Sequence, residues 1–572
     1  MQPPLAHLRT RTFPRKTTYA HAVGQGLIIG AALCPVLFIG WRIFLTNPNI
    51  AFWDDLDSTL GFLLRFDGAG SWQERLVQLF ALEAEHRTVT SRLIILVMHW
   101  LTGSVNFSVI GILGNLSLLG LCGLLISTAG STPRRIMLGS ILAFGIFHLE
   151  LYEPFFWSGA SIDHFLILIL AGGAIVCLRR HSPGALISAG LLAALANFTL
   201  SHGCLAWAIG GVILGSDRRW RALGGWSAAA AVALFLFFHG FGVHSAHRFS
   251  DFSAAGLLQV GRYWLALLGG PLTFGAPNIL AQALGFLLVV TLGWLAWRRG
   301  LSREPVVLPL ALFAAGSLAL IAFGRLVVAG PRIESRYLVL GSLAWSLAVY
   351  MLVARWSNPV RPLRLLAVTL PVLAGFNLAA NLHAAPFAET FLISRFYPAV
   401  RYAQFGEDGH AGGFQLHPLI DTTKRILEAS ATRGLYHLPR FCERSHYSPP
   451  KTNSTMVTYI TDITATDRAV GFEGWAMVSG RTSQSGCIRV VLRSPKSLLV
   501  FNTVGIPRPD VAKAFGHPEW RNCGYNFVAA RDSIPRENFQ IGLLIEDHGR
   551  SEIKMTAQHL DLTEAATFAS AQ

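Results

Sequence analysis

Residues 52–57 read Phe-Trp-Asp-Asp-Leu-Asp and place three carboxylates, Asp54, Asp55 and Asp57, directly after an apolar run. Carboxylates crowded beside a low-dielectric surface repel one another, so such a group calls for a compensating cation or for a proton-accepting role. Asp54 or Asp55 could remove a proton from a hydroxyl, or the group could supply oxygen ligands to a divalent cation. An ordinary solvated loop start accounts for the same residues. Further on, Glu83, Glu85, His86, Arg87 and Arg92 lead into a second apolar run. In a helical 83–92 segment, Glu83, Arg87 and Thr90 or Ser91 would share a face. Either this is a local ion pair, or Arg87 and Arg92 hold a phosphate while Glu83, Glu85 or His86 contacts sugar or acceptor hydroxyls.

Three later loops add polar groups. Tyr152-Glu153-Pro154 precedes Asp163-His164, and His239, His244, His247 and Arg248 gather after another apolar run. Histidines in a loop are more often surface groups than metal ligands. The segment Arg332-Ile-Glu334-Ser-Arg336-Tyr337 opens a late apolar run. Arginines entering such a run must snorkel to the interface or meet an anion, and a lipid-linked phosphate is one candidate. No Gly-x-x-x-x-Gly-Lys-Ser/Thr loop and no Gly-x-Ser-x-Gly elbow occurs, which excludes those two phosphate-binding and nucleophile signatures.

These groups need elements to position them, and composition says which. Of 572 residues, 52% are hydrophobic and 14% charged, against about 25% charged in an average soluble domain. The formal charge of +15 falls in short basic clusters between apolar runs, a positive-inside pattern and not a nucleic-acid stripe. Arg9, Arg11, Arg15 and Lys16 precede a first run too long for a signal peptide, which predicts a cytoplasmic N-terminal segment, 1–21. About 20 apolar residues make a span. Eleven are expected, at roughly 22–45, 105–129, 136–151, 163–178, 184–200, 203–215, 221–239, 276–296, 306–323, 337–354 and 363–381. Residues 92–103 reach only about 18 Å and are expected to lie at the interface. With eleven spans the later arginine clusters all share the side of the N-terminus, which leaves loop 46–104 and everything after about 382 on the opposite side.

The fold expected is therefore an α-helical polytopic membrane domain over 22–385, a connecting region over 386–454 and a β-rich domain over 455–572. A helical stretch is expected around 418–433. Short β-like runs at 456–460, 469–477, 487–492, 498–501, 525–529 and 540–545, separated by turn residues, suggest a small β-sandwich. Four of the seven cysteines lie in apolar runs without metal-ligand spacing, and Cys487 with Cys523 is one conceivable disulfide.

The order of features resembles the C-type (GT-C) membrane glycosyltransferases: a first span, a long loop opening on Asp54-Asp55, Glu85-His86-Arg87, an interfacial helix ending Trp100-Leu-Thr-Gly103, and a late Ser335-Arg336-Tyr337. The similarity covers roughly residues 20–400. It implies a sugar donor on a polyprenyl phosphate, inverting transfer to a glycan, lipid or protein acceptor, and a bacterial inner membrane with the β-domain in the periplasm. By position it implies Asp54 or Asp55 as the base, and Arg336 and Tyr337, joined by Arg332 or Arg87, at the carrier phosphate. No cofactor is implied with certainty. A polysaccharide polymerase or ligase, a flippase or transporter of lipid-linked saccharide, and a non-catalytic scaffold are the competing readings.

Overall fold

A computed structural model describes residues 16–83, 86–240, 253–276, 278–329, 332–356, 362–406, 415–442, 444–445, 456–466, 469–478, 487–547 and 550–563. The chain divides into two compact units. The first comprises residues up to Asn47, Arg65–Thr102 and Asn106–Glu389, and the second joins Pro48–Leu64 and Gly103–Val105 to Thr390–Gln572.

The first unit is helical. Eight helices among the described residues are long and apolar enough to cross a membrane: Val23–Thr46, Phe107–Thr128, Ser158–Leu178, Trp220–Phe238, Asn278–Arg298, Val307–Leu326, Ser335–Ala354 and Val368–Ala403. Helices Thr132–Ile146 and Leu149–Phe156, bent by 61° at their junction, make a ninth if they count as one span. The count falls below eleven because the runs expected at 184–200 and 203–215 form short helices, Pro183–Asn197 and Leu205–Ser216. Fifteen residues rise only about 22 Å, short of a hydrocarbon core of about 30 Å. Their turn is tight. A Cβ on Gly203 would lie 2.0 Å from the Ala196 carbonyl oxygen, so only glycine lets the two helices close there. The segment expected at the interface is a fourteen-residue helix, Val89–Thr102, with one exposed face carrying Val97, Trp100 and Leu101.

Helices Phe107–Thr128 and Ser158–Leu178 meet through small residues, the packing that apolar helices use when burial from water cannot drive association. A Cβ on Gly114 would fall 2.4 Å from the Ser161 carbonyl carbon. Gly114→Val is expected to destabilise the unit by about 1–3 kcal/mol, read as a lower melting temperature of the detergent-solubilised protein.

The last long helix, Pro362–Phe405, runs 44 residues and so passes the end near 381 expected from hydropathy. Beyond Pro386 its character changes from uniformly apolar to one-sided. Ala388, Leu392, Arg395 and Ala399 are buried at the three- and four-residue spacing of one helix face.

Among its described residues the second unit carries nine strands: β1 (Arg444–Ser445), β2 (Val457–Ala465), β3 (Ala469–Met477), β4 (Cys487–Arg493), β5 (Leu498–Asn502), β6 (Val504–Ile506), β7 (Gly524–Ala530), β8 (Asn538–Asp547) and β9 (Arg550–Asp561). They form two antiparallel sheets, β1-β5-β4-β8-β9 and β2-β3-β7-β6. Alternate residues of facing strands fill one core, with Phe472, Phe527, Phe501, Val490, Ile541 and Leu543 all buried, and Phe501 and Phe527 bridge the sheets at 5.4 Å. This is the sandwich that the alternating runs suggest. Strands β1, β6 and β9 lie outside those runs. Cys523 is a buried free thiol, and the side chain of Cys487, its conceived partner, lies outside the described residues.

Candidate functional site

The three carboxylates of the first loop separate into three environments within the second unit. The chain turns sharply at Trp53, a bulky residue at φ +49°, where Cβ crowds the backbone and the conformation costs on the order of 1–3 kcal/mol unless its surroundings hold it. They do, because the Trp53 N–H donates to the Leu416 carbonyl at 2.6 Å. A π-helix, Asp55–Gly61, follows at once, a wide turn that recurs at functional sites. Asp54 stands at the corner between the two and is exposed.

Asp55 is buried, 1% exposed, and its Oδ2 accepts from the Phe52 N–H at 3.2 Å. Its charge is met by Arg395, a fully buried arginine within Coulombic reach. Arg395 also lies 6.0 Å from the centre of the Phe52 ring, which in turn meets Phe391 edge-on at 5.8 Å. The guanidinium Nε and Nη1 make no hydrogen bond among the described residues. Tyr436 clamps the start of the same loop: its hydroxyl accepts from the Ala51 N–H at 3.1 Å and donates to the Asn49 carbonyl at 2.8 Å. Burial pushes its phenol pKa up, so it stays a neutral donor.

Asp57 is taken by His417, whose Nε2 lies 2.9 Å from the carboxylate Oδ2. The imidazole Nδ1 accepts from the Leu419 N–H at 3.1 Å, which puts the ring proton on Nε2, aimed at Asp57. Neither ring nitrogen is left to act as a base. The three carboxylates therefore do not converge as a cation-binding group, and among the described residues no three His, Cys, Asp or Glu side chains do.

The remaining candidates lie in the first unit. Glu83 and His86 exchange backbone hydrogen bonds at 2.9 Å each way, and the helix begins at Val89. The expected sharing of a helix face by Glu83 and Arg87 therefore fails, since Glu83 commits its backbone groups to His86 and both residues precede the helix. Arg87 donates its Nε to the Phe237 carbonyl at 2.7 Å and its two terminal nitrogens to the carbonyls of Phe80 and His239. It closes the C-terminal end of helix Trp220–Phe238, where carbonyls lack partners. Arg92, fully buried, donates to the carbonyls of Gln78, Leu79 and Ala81 and pairs with Glu83 at 3.1 Å. Burial lowers the pKa of both arginines, opposed at Arg92 by Glu83. His86 accepts at Nδ1 from the Ser201 N–H at 3.2 Å. Glu85, and His244, His247 and Arg248 of the later loop, lie outside the described residues.

Arg87→Leu should leave three carbonyls without their donor. The expected result is a melting temperature several degrees lower, with the activity per folded molecule kept, measured by thermal unfolding beside whichever assay is in use.

The structure joins three stretches that the sequence keeps apart. Ser91 donates to Asp163, and the neighbouring His164 meets the Tyr337 ring edge-on at 5.9 Å. Arg336 stacks over Tyr337 and Trp157 at 5.4 and 5.6 Å, pairs with Glu334, and donates its backbone N–H to Glu153 at 2.9 Å. Ser335 bonds the Glu150 carbonyl at 2.6 Å, and the Glu150 carboxylate meets His383 at 2.6 Å. Tyr337 is buried and Arg336 half-buried. Arg332 stands apart: its side chain is exposed, while its carbonyl accepts from the Tyr263 hydroxyl at 2.6 Å.

Sequence reasoning passed over Arg395, Tyr436, His417 and Glu150. Arg395 left a signal, being an isolated charge in the run Phe391-Leu-Ile-Ser-Arg395-Phe, whereas the other three gain meaning only from what they touch. No family model, curated protein or solved structure matches the chain.

Proposed function

We propose that this protein is a membrane glycosyltransferase that moves a sugar from a polyprenyl-phosphate carrier to a hydroxyl acceptor, with Asp54 as general base. The observation that carries the reading is the separation of the first-loop carboxylates. Asp55 is buried within Coulombic reach of Arg395 and Asp57 is bound by His417, while Asp54 is exposed at a strained corner. A base for a large acceptor must be reachable by it, and Asp54 meets that requirement.

In this mechanism Asp54 takes the proton of an acceptor hydroxyl as its oxygen attacks the anomeric carbon. The bond from that carbon to the carrier phosphate breaks on the opposite face, its electron pair leaves with the phosphate, and the anomeric centre inverts. The phosphate departs already ionised, so its leaving needs no proton, only cationic stabilisation. Among the arginines of the first unit that sequence offered, Arg87 and Arg92 already donate to carbonyls and Arg336 faces Glu334 and Glu153, while Arg332 is exposed. The isoprenoid chain suits an apolar cavity of about 290 Å³ lined by Val36, Ile39, Phe44, Ile112 and Leu116, with Asn47 and Ser108 at its polar margin.

The setting follows the same reading: a bacterial inner membrane, the N-terminus cytoplasmic and the chain after the last span periplasmic. Nine crossings, like eleven, are an odd number, and the basic clusters then keep one side. The test is transfer of radiolabelled sugar from polyprenyl-phosphate donors in membranes holding wild-type or Asp54→Asn protein. Label transfer that survives intact in a well-folded Asp54→Asn variant rejects Asp54 as the base.

A further inference from the structure

The outer face of the four-stranded sheet carries a strip of aromatic rings that the transfer reaction does not use. Strands β2 and β3 pair so that Tyr459 stands opposite Trp475. Their rings stack, 6.2 Å apart and 27° from parallel. Phe515, on the Pro509–Phe515 helix, meets Trp475 edge-on at 5.5 Å. Trp475 rests inward on Met477, Val511 and Trp520, which fixes it. Tyr459 and Phe515 are 55% and 46% exposed. Water contact on two such rings is costly, and packing inside the sandwich could have hidden them.

Hydrogen-bonding groups lie beside the strip. Glu473, two residues before Trp475 and on the same face of β3, meets the Asn526 amide at 3.5 Å and the Tyr397 hydroxyl at 3.4 Å. Asn526 is fully buried, and its Oδ1 has no hydrogen-bond partner among the described residues. Arg508 grips Asp510 through two nitrogens at 2.7 and 2.9 Å and lies within Coulombic reach of Glu473.

We propose that this face binds a saccharide. A pyranose presents an apolar face of C–H groups and an equatorial rim of hydroxyls. The ring strip fits the first, and the solvent-facing Asp510 carboxylate and Arg508 guanidinium fit the second. A membrane anchor would use similar rings, but it gives no role to the planar Arg508–Asp510 and Arg401–Glu473 pairs set beside them. The inference concerns binding alone and stands whether or not the chain transfers sugar.

The test uses the full chain in nanodiscs and saturation-transfer NMR with four probes: cellohexaose, maltohexaose, mannohexaose and hexa-N-acetylchitohexaose. At least one is expected to bind. Tyr459→Ala with Phe515→Ala should weaken that binding about tenfold or more, while Tyr459→Phe keeps it. Both positions are exposed, so the fold should survive, and unchanged thermal unfolding checks this. Failure of all four sugars to bind, or equal binding by the double alanine variant, overturns the proposal. So does shielding of a fluorophore on Phe515→Cys by nanodisc lipid, which would indicate a membrane anchor.

Discussion

Asp54→Asn is expected to lower sugar transfer about 10²–10⁴-fold, the usual contribution of a positioned general base, with no change in thermal unfolding. The side chain is exposed, so its replacement by a near-isostere removes no packing. The corner that presents it is held by backbone groups, through the Trp53 N–H on the Leu416 carbonyl, which the substitution leaves alone. The loss should fall on kcat/KM and should not be recovered by raising donor concentration, because binding of the carrier does not use this carboxylate. Asp57→Asn provides the contrast. It alters the hydrogen-bond acceptor of His417 outside the reacting groups, so a modest change in stability with retained turnover is expected. Equal turnover in wild-type and Asp54→Asn membranes, at equal amounts of folded protein, would end the reading.

Arg395→Met should destabilise the second unit by about 3–5 kcal/mol, the cost of leaving a buried charge without its partner. Arg395 is fully buried and Asp55 nearly so, and neither can recover hydration without opening the loop that Tyr436 clamps. Removing both charges together is a different experiment. Arg395→Met with Asp55→Leu should recover much of the loss, since a packed apolar pair avoids desolvation altogether. Thermal unfolding of the three proteins in one detergent decides the matter. A single variant as stable as wild type would mean that Arg395 does not balance Asp55. Recovery of stability without recovery of transfer in the double variant would indicate that the pair also orients the Trp53–Asp54 corner.

Hydropathy and alternation made much of the architecture legible. Long apolar runs marked the major helices, being long and apolar enough to cross a membrane, and period-two patterning marked six of the sandwich strands. Two expected spans shortened into the pair Pro183–Asn197 and Leu205–Ser216, because Gly203 permits a close turn that hydropathy does not register. The long final helix outran its expected end because beyond Pro386 its buried face is one-sided, a pattern that a window average dilutes.

Residue types and spacing by themselves determined that a membrane-type helical chain carries three carboxylates at the head of its first loop, and that arginines recur near later runs. They did not separate Asp54 from Asp55 and Asp57. Only tertiary structure did so, by bringing Arg395, His417 and Tyr436 from more than 300 positions away to the loop that holds them. A carboxylate's role depends on its hydration and its charge partners, and those are set by residues distant in sequence. For the same reason Arg87 and Arg92, which sequence offers as phosphate ligands, are found capping carbonyls, the nearest electron-rich groups once the chain has folded around them.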